Sequence, residues 1–491
     1  MGWFQAKPKI QKQEYTNDPT DLEYPLLFLS EQDVWRLRDA CEGVQIFGAT
    51  GSGKTSGSGQ SLAKAYLRAG YGGLVLTVKP DERQLWERYC RDTGREDSLV
   101  IFSPSEKWRF NFLDYEMRRP GVGAGLTDNL VSLFYQVLEN ADRMSSDGQA
   151  ADAFWGRAMK RMLRNAIELV RYGTGRLSLE EIYGVIQSAP NSLSQRDSDE
   201  WSNNSFCFHC IAAGEERKKT LGEQRDFELA AQYWLSQFPT LADKTRSIVV
   251  ESFIGMADSF LRGVLNDLFC SETNLVPELT HEGVVIVLDL PVKEYGEVGR
   301  FAQVLFKLIW QKAVERRIES PSLRPVFLWA DEAHNFIVSQ DMSFQTTARS
   351  GRACTVYLTQ NISNYYAAMD GKKGKAETDS LLACLQTKIF HQNNHPETNY
   401  WAAEVISKIT KYRYSYGSSQ NNANMLGSGG NQQSSTNVTP QEEYDVPPST
   451  FGDLKKGGPK NGLNVEGIFF QGGRSWNGKR YIKATFNQEV N

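Results

Sequence analysis

Five glycines lie between Gly48 and Gly59, inside the segment IFGATGSGKTSGSGQSLAKAYLRAG that begins at Ile46. Each glycine loses backbone entropy when it becomes ordered, so a run this dense is unfavourable in a helix or a core. The order of residues from Gly48 to Thr55 fits G-x-x-x-x-G-K-[ST], a pattern in which backbone N–H groups surround phosphate oxygens. The segment therefore constrains the chain to a fold that presents a phosphate-binding loop.

The flanks of this loop predict a strand before it and a helix after it. Residues 44–47 are apolar enough for a short buried strand, and helical spacing of apolar residues predicts a helix over 54–69. A strand, a glycine-rich loop and a helix N-terminus together form an anion-binding arrangement. Lys54 would reach the terminal phosphates, and the Thr55 hydroxyl would bind Mg²⁺. The alternative is a flexible glycine–serine loop. The predicted nucleotide-binding residues are Gly48, Ala49, Thr50, Gly51, Ser52, Gly53, Lys54, Thr55 and Ser56.

Length and composition exclude several classes of protein. With 491 residues the chain exceeds one ordinary compact core, which favours two domains or one domain with a large insertion. No apolar run approaches the roughly 20 residues of a membrane span, and the N-terminus lacks the apolar region of a signal peptide. A net charge of −4 argues against broad wrapping of DNA, although a basic lining in the channel of a ring stays possible. We therefore expect a cytoplasmic protein.

The seven cysteines are scattered along the chain, which favours free thiols in a reducing compartment. Cys207 and Cys210 form one C-x-x-C pair, but a structural zinc site needs four ligands and no second pair lies nearby in the sequence. Ordinary cysteines of a helix or a loop are favoured over a metal site.

The pattern of predicted elements changes twice along the chain. Strands and helices alternate over 43–119, helices dominate 120–279, and alternation resumes over 280–491, after an N-terminal segment of 1–42. Alternation of this kind predicts an α/β fold with a mostly parallel sheet, here interrupted by an all-α domain. The stretch 415–439 has almost no apolar content and is expected to be a mobile loop.

A second polar cluster follows the apolar run in VFLWADEAH. Asp331 would hold Mg²⁺, and Glu332 would orient and activate the attacking water, the two roles that hydrolysis adds to phosphate binding. Two adjacent acids at a strand end could instead cap the next helix. His334 could contact a nucleotide or DNA, or be a surface histidine.

Further candidates come from TTARSGRACTVYLTQN. Gln360 ends a strand predicted to lie beside the Asp331 strand, where a polar side chain could sense the terminal phosphate. Arg349 is the preferred candidate for an arginine that acts on the nucleotide of a neighbouring subunit, and Arg352 is the second choice. For either arginine, a surface salt bridge is the alternative.

These motifs together resemble the coupling-protein ATPases of conjugation and type IV secretion, the VirD4/TraG/TraD-like group within the FtsK–HerA class. The resemblance rests on the phosphate loop, VFLWADEAH, ARSGRACTVYLTQN and LLACLQTKIFHQNNHPETNYW, with weaker matches in VKPDE, RFNFLD and LADKTRSIVVESF. It covers most of the chain from about residue 40 to 410. It implies a RecA-like P-loop NTPase fold, binding of ATP and Mg²⁺, and a hexameric ring that moves DNA. It also implies that the all-α domain receives a relaxase or another protein substrate.

The sequence departs from this group at two points. Members usually begin with transmembrane helices, whereas this sequence shows none, so we expect either a membrane-anchored partner or a soluble ring. The second strand usually ends in an acid, whereas this chain has Thr77 followed by Lys79. Two other functions remain open: a nucleotide-gated receptor that recruits protein substrates, and a soluble HerA-like packaging or defence ATPase.

DNA contacts are not located by the sequence. The best basic segment is DGKKGKAE, with Lys372, Lys373 and Lys375, which could line a pore and follow phosphates. A solvated surface loop is the favoured interpretation of these lysines.

Overall fold

A computed structural model describes residues 15–142, 152–369, 371–419 and 433–489. The strands in these ranges are β1 Pro25–Phe28, β2 Val34–Arg36, β3 Val44–Phe47, β4 Gly72–Leu76, β5 Leu99–Phe102, β6 Val285–Leu288, β7 Val326–Ala330, β8 Ala353–Thr359, β9 Thr387–Phe390, β10 Lys408–Ser419, β11 Gln433–Tyr444, β12 Asn464–Gln471 and β13 Tyr481–Asn487.

The α-helices of the same ranges are α1 Leu37–Ala40, α2 Gln60–Arg68, α3 Glu82–Asp92, α4 Phe112–Arg118, α5 Thr127–Asp142, α6 Asp152–Thr174, α7 Leu179–Gln187, α8 Leu193–Arg196, α9 Asp199–Asn204, α10 Phe206–Glu216, α11 Leu221–Gln232, α12 Asp243–Leu261, α13 Gly263–Phe269, α14 Val292–Glu315, α15 Ser339–Thr347, α16 Ile362–Ala368, α17 Gly371–Cys384, α18 Pro396–Ile406 and α19 Pro448–Gly452. A π-helical turn, Thr55–Gly59, joins the glycine-rich loop to α2. None of the described helices combines the length and apolar character needed to cross a membrane.

One nine-stranded sheet forms the centre of the fold, in the order β13-β12-β9-β3-β8-β7-β4-β6-β5. The seven strands from β9 to β5 are parallel, and β12 and β13 add to one edge in antiparallel pairing. Strands β3, β6, β7 and β8 are buried along their whole length, as parallel strands covered on both faces are. The sheet confirms the predicted α/β fold class.

Register brings the carboxyl ends of four neighbouring strands to one edge of the sheet. Phe47 of β3 is paired with Thr359 of β8, and Ala330 of β7 lies between Tyr357 of β8 and Leu76 of β4. The residues that follow these strand ends therefore meet at one place, although they are far apart in the sequence.

Helices α4 to α13 lie in the chain between β5 and β6 and account for the predicted helical segment. Helix α6 is central among them, because α5, α7, α10, α11 and α12 all pack against it. Cys207 and Cys210 are buried free thiols of α10, and burial raises the pKa of both. The division of the chain at residues 42, 119 and 279 remains our interpretation of domain boundaries.

Two sequence expectations about loops are wrong. The stretch 415–439 was expected to be a mobile loop, but its described ends belong to β10 and β11, which pair over twelve residues each; residues 420–432 lie outside the described ranges. The segment with Lys372, Lys373 and Lys375 begins α17 instead of forming a loop. Low apolar content misled the first prediction, because backbone pairing between two strands needs no apolar side chains.

Candidate nucleotide-binding site

The glycine-rich loop has backbone geometry that explains its glycines. Gly51 and Gly53 have φ values of 71° and 89°, in the left-handed region that favours glycine. A Cβ atom at Gly48 would lie 2.4 Å from Ser52 Oγ, and one at Gly53 would lie 2.5 Å from Val465 Cγ2. The Ser52 hydroxyl is buried and has no hydrogen-bond partner in the described structure. The loop after β3 therefore leaves no room for side chains at Gly48 and Gly53, and its Ser52 hydroxyl is free to bind a ligand. Both features fit a phosphate-binding loop.

Lys54 is buried beside two carboxylates. Its Nζ lies 3.2 Å from Glu332 Oε1 and 3.8 Å from Asp331 Oδ1, and all three side chains are more than nine-tenths buried. The residue expected to reach the terminal phosphates thus already sits next to the two acids of the second motif. A buried cation between two buried anions offsets part of the cost of removing all three from water.

Thr55 and Asp331 form the contact that bears most directly on a metal. Thr55 Oγ1 donates a 2.6 Å hydrogen bond to Asp331 Oδ2. No cluster of three or more His, Cys, Asp and Glu side chains suited to a metal was found in the described ranges. Mg²⁺ is usually held by one or two protein oxygens together with phosphates and water, so a hydroxyl and a carboxylate at this distance fit Mg²⁺. The protein groups alone would not make a complete site.

Glu332 is held in an unusual backbone conformation. Its φ is 51° and its ψ is 47°, its N–H donates to Asp331 Oδ1 at 2.9 Å, and Asn335 Nδ2 donates to its carbonyl oxygen at 2.8 Å. Strain of this kind at a non-glycine residue persists only where the surroundings impose it. Glu332 Oε2 is buried with no hydrogen-bond partner in the described structure, which leaves an acceptor for a water molecule.

Gln360 lies at the same carboxylate. Its Nε2 donates to Glu332 Oε1 at 3.2 Å, and Asn393 Nδ2 fixes the Gln360 carbonyl oxygen at 2.7 Å. Glu332 Oε1 therefore accepts from both Lys54 and Gln360. If the Lys54 amine moved away from Glu332 Oε1, the hydrogen bond that Gln360 donates to the same oxygen would also change.

His334 is close to the site, and its imidazole is mostly buried. Burial lowers its pKa further than the nearby Glu332 carboxylate raises it, and His334 Nδ1 lies 3.1 Å from Thr359 Oγ1. Of the two sequence alternatives for His334, a ligand contact fits this mostly buried position better than a surface histidine does.

The two candidate arginines lie at the opposite edge of the sheet from the site in their own chain. Both precede β8, whose seven residues span roughly 20 Å. Arg349 is exposed and lies 3.7 Å from Glu42. Arg352 is buried, has a φ of 50°, and donates to the carbonyl oxygens of Leu323 and Thr20. Arg352 is thus held by contacts within the fold, whereas Arg349 lies at the surface beside Glu42.

Sequence reasoning missed Lys79 and Glu82, which follow β4 at the same sheet edge. Burial lowers the pKa of Lys79, but the carboxylates of Asp331, Glu82 and Glu332 outweigh it and the net pKa is raised. Burial, with a smaller effect of Asp331, raises the pKa of Glu82 to about 8. Glu82 Oε2 accepts from Val78 N at 2.8 Å, whereas Oε1 is buried and unpartnered in the described structure. The VKPDE motif contains both residues, but the sequence does not show that they lie near Asp331. That proximity follows from the pairing of β4 with β7.

The C-terminal strands supply a second set of missed contacts behind the loop. His391 Nδ1 donates to the carbonyl oxygen of Glu466 at 2.9 Å, so its Nε2 can accept from Ser58 Oγ at 2.6 Å. Burial lowers the pKa of His391 to about 4, which keeps it neutral. Gln488 Nε2 donates to Ser56 Oγ at 2.5 Å. The helical turn after the phosphate loop is therefore tied to β12 and to the end of the chain.

A family model described as the TraM recognition site of TraD and TraG matches residues 325–455. No curated protein sequence matches the chain. Among solved structures, the unbound bacterial conjugative coupling protein TrwB (TrwBdeltaN70) aligns with a TM-score of 0.62 and 14% identity, over 93% of this chain and 87% of that chain.

Two nucleotide complexes of TrwB align in the same way. The complex with the ATP analogue ADPNP has a TM-score of 0.58 and 14% identity, over 92% of this chain and 88% of that chain. The complex with ADP and Mg²⁺ has a TM-score of 0.60 and 14% identity, over 98% of this chain and 90% of that chain. These similarities confirm the resemblance to the coupling-protein ATPases and the RecA-like P-loop fold with its all-α part. At 14% identity they establish the fold and leave function to be argued from the site.

Proposed function

We propose that this chain is a Mg²⁺-dependent ATPase of the coupling-protein type. It works as a homo-oligomeric ring, by the resemblance a hexamer, and moves DNA or a DNA–protein substrate in conjugation or type IV secretion. One observation carries the proposal: Lys54, Thr55, Asp331, Glu332 and Gln360 converge within hydrogen-bond or ion-pair distance at one edge of a parallel sheet.

Each of these side chains has a role that its position supports. The loop N–H groups and Lys54 bind the phosphates, and Thr55 and Asp331 hold Mg²⁺, which neutralises phosphate charge when bound. Glu332 accepts the proton of the attacking water, because its Oε2 is buried and accepts no hydrogen bond in the described structure. Gln360 senses the terminal phosphate through the Glu332 oxygen that it shares with Lys54. These roles are consistent with the ADPNP and the ADP–Mg²⁺ complexes of TrwB.

The proposal is tested by measuring binding of labelled ATP with Mg²⁺ and then hydrolysis, alone and with single- or double-stranded DNA at low salt. We expect binding that requires Mg²⁺ for full affinity and turnover that DNA stimulates. If the protein binds no nucleotide, the ATPase hypothesis is wrong. If neither kind of DNA changes the rate of ATP turnover, the DNA-motor hypothesis is wrong and the ATPase hypothesis stands.

A second candidate is a nucleotide-gated receptor that hands protein substrates to a secretion machine. The description of the matched family model as a recognition site for another protein favours it. That match falls on residues 325–455, whereas the family resemblance implies recruitment of a relaxase by the all-α part. ATP turnover stimulated by a relaxase, with no response to DNA, would favour the receptor. A membrane-anchored partner and a cytoplasmic location remain part of either proposal.

A further inference from the structure

Lys307 and Asp341 form an ion pair in the interior of the protein. Lys307 Nζ lies 2.5 Å from Asp341 Oδ2, and the exposed fractions of the two side chains are 0% and 1%. Lys307 belongs to α14, and Asp341 lies in the first turn of α15. The hydrogen bonds of this pair lead to the segment 332–338, which follows β7 and begins with Glu332.

The Asp341 carboxylate accepts hydrogen bonds from α14, from β8 and from the segment before α15. Its Oδ2 accepts from Lys307 Nζ and from Val338 N, the latter at 2.8 Å. Its Oδ1 accepts from Gln311 Nε2 at 2.7 Å and from Tyr357 OH at 3.1 Å. Hydrogen bonds to an ionised group are stronger than neutral ones. Because both oxygens are bonded, the carboxylate has a fixed position.

The ion pair holds the backbone at the far end of the segment 332–338. Lys307 Nζ donates to the carbonyl oxygen of Phe336 at 2.7 Å, and the Val338 N–H is bound by Asp341 Oδ2. One cation and one anion thus fasten two backbone groups that are two residues apart.

Internal hydrogen bonds connect this fastened end to Glu332. The carbonyl oxygen of Glu332 accepts from Asn335 N at 3.0 Å, and that of Ala333 accepts from Phe336 N at 2.9 Å. The segment 332–338 is therefore one hydrogen-bonded turn, with the ion pair at one end and Glu332 at the other. The left-handed backbone of Glu332, with a φ of 51°, needs surroundings that impose it.

A contribution to stability does not by itself explain a buried ion pair at this place. The cost of removing two charges from water can exceed their attraction, and well-packed apolar residues of similar volume are often equally stabilising. Phe336 and Ile337 of the same segment are buried, but apolar packing is non-directional and does not fix the orientation of a backbone. Hydrogen bonds to the pair do fix it.

We propose that Lys307 and Asp341 are positioning residues, which hold the Glu332 carboxylate where it accepts the proton of the attacking water. The inference deepens the proposed function and rests on the role that it gives to Glu332. The pair acts through the segment 332–338. Because a misplacement of about 1 Å can lower a rate about 100-fold, loss of the pair should affect turnover and leave ATP affinity nearly unchanged.

The test replaces the pair by apolar residues of similar volume, Lys307→Met with Asp341→Leu, in the full chain. We expect the affinity for labelled ATP with Mg²⁺ to stay within about twofold of the wild type and kcat to fall roughly 10- to 100-fold. The matched control, Glu116→Leu with Arg119→Met, removes a buried ion pair of the helical part, where Arg119 Nη2 lies 2.8 Å from Glu116 Oε1. This control should keep the wild-type kcat.

A double-mutant cycle with Glu332→Gln distinguishes positioning from general damage to the fold. If the pair acts through the Glu332 carboxylate, its replacement in the Glu332→Gln background should lower turnover by no more than about twofold, measured in a single turnover. A pair that only supports the fold would lower turnover by the same factor in both backgrounds, and that result overturns the inference.

Hydrogen exchange gives a measurement that does not depend on activity. The backbone N–H groups of residues 333–338 should exchange faster in the Lys307→Met, Asp341→Leu variant than in the wild type and in the control. If that variant does not fold, Asp341→Asn replaces it, with the same expected directions. A wild-type kcat or unchanged exchange in the folded variant overturns the inference. Failure of the wild type to bind ATP would remove the proposed ATPase, whereas the exchange comparison would still decide whether the pair holds the segment.

Discussion

Thr55 and Asp331 are 276 positions apart in the chain, yet Thr55 Oγ1 donates a 2.6 Å hydrogen bond to Asp331 Oδ2. Thr55 follows β3 and Asp331 follows β7, and β8 lies between these two strands in the sheet. The contact spans the place where ligands bind in open parallel sheets, outside the carboxyl ends of the strands.

Glu332→Gln should bind ATP with nearly unchanged affinity and hydrolyse it roughly 100- to 10,000-fold more slowly, because the water loses its proton acceptor. Gln keeps the acceptor oxygen that Lys54 and Gln360 use. Binding is measured with a fluorescent analogue and turnover by phosphate release. Hydrolysis at the wild-type rate would show that another group activates the water.

Lys54→Ala should weaken ATP binding and also lower the stability of the nucleotide-free protein by about 3 kcal/mol, because two buried carboxylates lose their counter-charge. Adding Asp331→Asn should recover part of the stability but none of the binding. Denaturant unfolding and ATP titration on the two variants measure both effects. Equal stability of Lys54→Ala and the wild type would contradict the pairing.

Gly53→Ala should cost more stability than Gly51→Ala, although both residues have positive φ. Strain alone should cost about 1 kcal/mol at Gly51, where a Cβ would meet no atom within 4 Å. At Gly53 the Cβ would also collide with Val465, so the loop must shift and ATP affinity should fall. Thermal unfolding and ATP titration of the pair measure the difference, and equal effects would argue against the contact with β12.

Glu82→Gln should change how stability depends on pH. The pKa of Glu82 is raised from 4.5 to about 8 mainly by burial, so the folded state holds a proton that the unfolded state releases above pH 4.5. The wild type should therefore lose stability as pH rises from about 5 to 8, and the variant should lose less. Melting temperatures at both pH values should agree near pH 5 and differ by a few degrees near pH 8, with the variant higher. Parallel curves would exclude a protonated Glu82.

Arg349→Ala should lower ATP turnover at least 100-fold without loss of stability, if this exposed arginine acts on a neighbouring subunit. Mixing it with Glu332→Gln should restore part of the activity, because a mixed ring contains an intact site facing an intact arginine. Arg352→Ala should instead lower the melting temperature, since its side chain bonds two carbonyl oxygens. No recovery on mixing would exclude action in trans by Arg349.

Much of the site could be predicted because most of its functional residues lie in short, recognisable sequence motifs. The loop from Gly48 to Thr55, the acids after β7 and the glutamine after β8 each combine a local element with the residue types that a nucleotide requires. Lys79 and Glu82 were not assigned, because their meaning depends on β4 being the neighbour of β7. The hairpin of β10 and β11 was not predicted, because pairing between two polar strands does not require the apolar residues that sequence patterns detect.

The amino-acid sequence by itself determined the fold class and the groups available for chemistry, because periodicity, glycine spacing and side-chain type are local properties. Only the tertiary structure decided which strand ends are neighbours, which oxygen Lys54 shares with Gln360, and that Arg352 is buried whereas Arg349 is exposed. These properties come from contacts between residues hundreds of positions apart, and their energies depend on distance and burial in the folded chain.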